Sequence, residues 1–152
     1  MKTIGLIGGM SWESTAIYYR QINEEVKARL GGLHSAKLLL YSVDFQEIEA
    51  CQAAGDWARS ADILTDAAIR LERAGADFLV ICTNTMHKVA PEIQASISIP
   101  ILHIAQATAQ QLLEQGVTTV GLLGTRYTMT QDFYRQKLTQ AGIQVILPQE
   151  ED

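Results

Sequence analysis

Short apolar runs that stop at glycine or small polar residues alternate along this chain with longer stretches of helical spacing. That alternation restricts the fold more than any other feature of the sequence. TIGLIGG, from Thr3 to Gly9, reads as a buried strand closed by glycines. SWESTAIYYRQINEEVKARLGG follows. Ser11 and Ser14 are alternative N-caps, Glu13 favours the first turn, Ile17, Ile22 and Val26 recur at helical spacing, and Gly31-Gly32 ends the pattern. AKLLLYSV is a second strand, DWARSADILTDAAIRLERAGA a long amphipathic helix ending at Gly75, and DFLVICT a third strand. A short helix from about Thr85 meets Pro91, which starts a new helical turn. SIPILHI is a fourth strand, AQATAQQLLEQG a helix, TTVGLLG a strand, TMTQDFYRQKLTQAG a helix and IQVILP a strand.

Strands alternating with helices predict an α/β fold, a parallel sheet flanked by helices on both faces. Ligands of such sheets sit at the carboxyl ends of the strands. FLVICTNTMH, from Phe78 to His87, therefore places a thiol, two hydroxyls and an amide where ligands go.

At 152 residues, 47% of them hydrophobic, the chain suffices for one ordinary domain with a real core and is too short for two full ones. The net charge of −5 and the scattered basic residues exclude a phosphate-neutralising surface, so no nucleic-acid partner is expected. No apolar run reaches the ~18 residues of a membrane span, and the N-terminus reads as a core strand, not a signal peptide. Cys51 and Cys82 form no CxxC and no zinc-type ligand set, which fits a reducing, cytoplasmic setting. His34, His87 and His103 lack ligand spacing and read as structural. GLIGGM is neither a dinucleotide fingerprint nor a phosphate loop.

The chain partly repeats itself. TIGLIGG at Thr3 matches TVGLLGT at Thr119, and YRQ at Tyr19 returns at Tyr134 with nearly the same separation. The expected organisation is a complete first α/β domain over residues 1–103 and, over 104–152, the opening of a duplicated second domain. The counterpart of VICTNT would fall beyond Asp152, and LPQEED reads as the exit from a strand.

GLIGGMSWEST, CTNTMH and GLLGTRYTM, in this order, resemble the aspartate/glutamate racemase family. The resemblance implies two similar α/β domains with the active site between them. It also implies inversion of an amino-acid stereocentre without metal, nucleotide or pyridoxal cofactor. Racemisation takes the Cα proton from one face and returns one on the other, most directly with an acid/base group on each side. The family uses two cysteines, the first in a C-N-T element. Here the element reads Cys82-Thr83-Asn84-Thr85, so alignment on Asn-Thr puts Thr83 in the catalytic place with Cys82 one residue earlier. Successive strand side chains face opposite ways. Cys82 then points into the packing as a small apolar residue, unless local geometry swings it into the site.

The resemblance further implies that Asn84 and Thr85 donate to the substrate α-carboxylate and that Met10 and Ser11 line the first turn. It also gives Gln52 a contact to the distal carboxylate and sets Thr125 and Thr128 as the second unit's counterparts. Helix capping competes for Ser11, Thr125 and Thr128, and a solvated helix position for Gln52. The expected partners are a small, acidic amino acid and a second copy in a homo-oligomer. The competing expectation is a truncated, non-catalytic relative that binds a small carboxylate or a partner chain.

Overall fold

The computed structural model describes residues 1–148; the QEED end of the LPQEED stretch lies outside the described residues. Contacts divide the chain into two compact units, Met1–Thr83 with Val89–Ile101, and Asn84–Lys88 with the residues from Leu102 onward.

The first unit is built on three parallel strands, β1 (Ile4–Gly8), β2 (Leu38–Ser42) and β3 (Phe78–Ile81), in the order β2-β1-β3. Ile4 pairs with Leu38 on one side and Phe78 on the other, so all three carboxyl ends share one edge. β1, paired on both sides, is the most deeply buried of the three, with Leu6 and Ile7 wholly buried. Each such side chain contributes about 1.5–3 kcal/mol by leaving water. α1 (Trp12–Leu30) follows β1, and α2 (Phe45–Ala54) and α3 (Trp57–Arg73) follow β2. α3 buries Ser60, Ala61, Leu64, Ala67, Ala68 and Leu71, a stripe at helical spacing whose alanines let it lie close to β1. Asp56 caps it, accepting from Arg59 N at 2.9 Å. α2 was not marked by periodicity, since Ile48 is its one buried residue, but its start and stop signals are present. Asp44 accepts from Gln46 N at 3.1 Å, and Gly55 ends it in the left-handed region.

The fourth predicted strand is reduced to one bridge, Leu79 with Ile101. Leu79 N donates to Pro100 O at 2.9 Å. Pro100 has no N–H to offer, and side chains take its neighbours' donors. Glu72 Oε1 accepts from Ser98 N at 2.7 Å and Ile99 N at 3.2 Å, and Gln94 Oε1 from Ile101 N at 2.9 Å. The ladder does not extend back from this bridge because its next donor would be Pro100. Ahead of this segment, a 3-10 turn (Thr85–Val89) leads into α4 (Ala90–Ala95), with Pro91 in its first turn as expected.

The second unit holds α5 (Ile104–Glu114), β4 (Thr119–Gly121), α6 (Arg126–Thr130), α7 (Asp132–Gln140) and β5 (Gln144–Ile146), with β4 and β5 parallel. Its core gathers Ala105, Ala109, Leu122, Tyr134, Leu138 and Ile143. The single helix expected after β4 is broken at Gln131, whose φ of −101° and ψ of 144° are extended. Asp132 then opens α7, where a carboxylate favours the positive end of the helix. Among the described residues no helix is long and apolar enough to cross a membrane.

Candidate functional site

In the first unit the predicted residues gather at the carboxyl edge of β1 and β3. β1 runs into Gly9, whose φ of 91° suits glycine, and an added Cβ there would strike the Val43 carbonyl oxygen. Gly8 has no room either: a Cβ would lie 2.5 Å from Thr15 Cγ2 and 2.7 Å from its hydroxyl oxygen. Thr15, buried in the first turn of α1, ties this corner together. Its Oγ1 accepts from Gly9 N at 2.9 Å and donates to Ser11 O at 3.1 Å. Ser11 is the N-cap residue by backbone position, yet its side chain makes no capping hydrogen bond. Capping therefore does not account for its hydroxyl. Met10 beside it is buried.

β3 brings Cys82 and Thr83 to the same edge. Cys82 N donates to Ile7 O at 2.9 Å, so the ladder persists one residue past the strand. Cys82 has no exposed surface, and burial alone pushes its thiol up to about 12. A thiol so placed is protonated at neutral pH and behaves as a small apolar residue. Thr83, the next residue, is half-buried, and Gln52 sits half-buried in the last turn of α2.

In the second unit the structure brings together Thr85, Thr125 and Thr128. Thr85 Oγ1 lies 3.3 Å from Thr125 Oγ1, which lies 3.1 Å from Thr128 Oγ1 and accepts from Thr128 N at 3.3 Å. Thr125 thus caps α6 and links the cluster at once. Three hydroxyls joined by two internal hydrogen bonds retain one O–H to donate outward. Asn84, which precedes Thr85, is exposed. The corner after β4 echoes the one after β1: a Cβ on Gly124 would meet Thr128 Cβ and Cγ2 at 3.2 Å.

Two residues read from the sequence as merely structural belong to the surroundings of this cluster. His87 and His103 are buried with ring centroids 4.6 Å apart. His87 Nε2 accepts from Ile104 N and His103 Nδ1 from Ala105 N, each at 3.2 Å. Burial, with His87 and Lys137 nearby, lowers the His103 imidazole to about 4. A histidine immediately ahead of a helix was the available signal for His103; nothing local marked His87.

The Asp/Glu/Hydantoin racemase family pattern matches residues 7–152. The broad specificity amino-acid racemase RacX of Bacillus subtilis is 28% identical over 146 residues, covering 94% of this chain and 63% of its own length. A Yersinia pestis crystal structure assigned to the Asp/Glu racemases is 62% identical with a TM-score of 0.96, over 99% of this chain and 66% of that one. An aspartate racemase homologue from Pyrococcus horikoshii OT3 is 38% identical with a TM-score of 0.86 over the same shares. Picrophilus torridus aspartate racemase, 24% identical with a TM-score of 0.76, shares the fold. The chain thus spans roughly two thirds of the length of these relatives, 63–66%. With a parallel sheet flanked by helices and a family pattern running over nearly all of its length, the chain belongs to the Asp/Glu/Hydantoin racemase family.

Proposed function

We propose that this chain provides one side of a cofactor-independent amino-acid racemase acting on a small, acidic amino acid. Residues 1–103 supply the first domain and 104–152 open the second. The observation that carries the reading is the meeting of Thr85 with Thr125, forty positions apart, at 3.3 Å. It joins the two motifs that would hold a carboxylate into one donor cluster. Asn84 and Thr85 bind the substrate α-carboxylate with Thr125 and Thr128. Met10 and Ser11 line the turn after β1, and Gln52 meets the distal carboxylate. Oriented donors around that carboxylate stabilise the charge that develops as the Cα proton leaves. Thr83 takes the acid/base place, because Cys82 is buried and its thiol is pushed up to about 12.

A hydroxyl is a far weaker acid than a thiol, so proton removal on this side is slow. The opposite side is served by the part of the family's length that the chain does not span, and the two enantiomers are then handled unequally. The acidic composition and two unpaired thiols support a cytoplasmic setting. The high position of the Cys82 thiol also favours a second reading, a relative that binds a small carboxylate and does no chemistry.

Proton exchange separates the two. L- and D-aspartate and glutamate, each incubated with the protein in heavy water, are followed by the NMR signal of the Cα proton. Loss of signal from one enantiomer supports a one-sided site. No loss from any of the four, with the protein folded, leaves binding alone.

A further inference from the structure

We propose that His87 and His103 form a paired imidazole seat for the N-terminus of α5, and that through this seat His87 positions Asn84 and Thr85. The inference rests on the carboxylate-binding role proposed for those two residues.

A helix begins with backbone N–H groups that lack partners within the helix. In α5 those of its first three residues are all met, and all from two histidines. Ile104 N donates to His87 Nε2 and Ala105 N to His103 Nδ1, each at 3.2 Å. Gln106 N and Ala107 N donate to the His103 carbonyl at 3.0 and 3.1 Å. An imidazole nitrogen that accepts must be bare. His87 therefore carries its proton on Nδ1 and His103 carries its proton on Nε2. The positive end of the helix and the mutual approach of the rings both oppose a charge on either imidazole.

The seat reaches the candidate site through the backbone. His87 N donates to Asn84 O at 3.1 Å, closing a turn over Asn84, Thr85 and Met86. Inside that turn Thr85 Oγ1 meets Thr125. His87 is 1% exposed, so neither its ring nor the turn can shift without opening the start of α5. A shorter cap such as serine could serve α5 locally. It could not tie the start of α5 to a residue 17 positions earlier, as the reach of His87 does.

Nitrogen-15 NMR of the full chain at neutral pH reads the tautomers directly. The expected result is a bare Nε2 on His87 and a bare Nδ1 on His103; a protonated Nε2 on His87 overturns the proposal, and this readout needs no variant. Two substitutions then test the positioning. His87→Gln keeps an acceptor near the place of Nε2, and His87→Leu removes it. With Leu, the KM for Cα exchange should rise about tenfold, the worth of one hydrogen bond to a charged group, while kcat changes little and the Thr85 amide resonance moves. Gln should restore both. Equal loss with Gln and Leu, or an unmoved Thr85 resonance in a folded His87→Leu protein, overturns the proposal. If the unsubstituted protein exchanges no Cα proton, the racemase reading fails separately. The tautomers and the Thr85 resonance still decide whether the seat exists.

Discussion

The Thr15 hydroxyl accepts the Gly9 amide at 2.9 Å and hands its own proton to the Ser11 carbonyl at 3.1 Å, so one side chain fixes the corner between β1 and α1. Thr15→Val keeps the shape and removes both bonds, leaving a buried N–H unpaired. The expected cost is about 1–3 kcal/mol, read as a lower urea midpoint at unchanged slope. Thr15→Ser keeps the oxygen and should lose less. Gly8→Ala drives a methyl group into Thr15 and should cost a similar amount by overpacking, about 1–3 kcal/mol.

The reactivity of the two thiols should differ sharply. Cys82 is wholly buried and its thiol lies at about 12, whereas Cys51 is half-buried. A thiol reagent at pH 7.5 should label Cys51 alone in the folded protein and both residues in denaturant. Labelling of Cys82 at a comparable rate would show that its thiol reaches solvent. In the exchange assay Cys82→Ala should retain activity and Thr83→Ala should lose it. Thr83→Cys should quicken exchange of the enantiomer whose Cα proton faces that position.

Acid should weaken the protein through His103. Its imidazole lies near 4 in the folded chain against 6.5 unfolded. The unfolded chain therefore takes up a proton first as the pH falls. The stability present above 6.5 is lost progressively down to about 4. His103→Asn keeps a capping oxygen but no titrating group. Denaturation of both proteins at pH 7 and pH 4 should show a smaller acid loss for the variant.

Glu72 sets a second acid dependence. Its carboxylate accepts from Ser98 Oγ at 2.6 Å and from the Ser98 and Ile99 amides, which hold it below its usual 4.5. A lowered carboxylate adds stability above its unfolded value, and that stability disappears as the pH falls through the folded one. The difference in Tm between the protein and Glu72→Gln should therefore shrink on acidification. Amide exchange at Ser98 and Ile99 should quicken in the variant at neutral pH.

Much of the fold was legible because β1, β2 and β3 announce themselves as apolar runs and α3 as a stripe from Ser60 to Leu71. What escaped notice depended on particular side chains. α2 buries Ile48 alone, so no periodicity marked it. SIPILHI has strand composition, but Pro100 has no N–H to give a ladder and only one bridge forms. The helix break at Gln131 lay inside a continuous helical pattern. At the site, Cys82-Thr83-Asn84-Thr85 and Thr125 stood out because their motifs did. The two histidines did not, because their role depends on a contact between residues distant in sequence.

The corner after β1 and the corner after β4 each seat a threonine, but by different partners. In each, a glycine makes room for a threonine, Gly8 for Thr15 and Gly124 for Thr128. After β1 that threonine meets the Gly9 backbone amide, and after β4 the side chain of Thr125. A backbone amide is present whatever residue stands there, but a hydroxyl is lost with one substitution. The first corner therefore depends on one side chain, Thr15, and the second on two, Thr125 and Thr128.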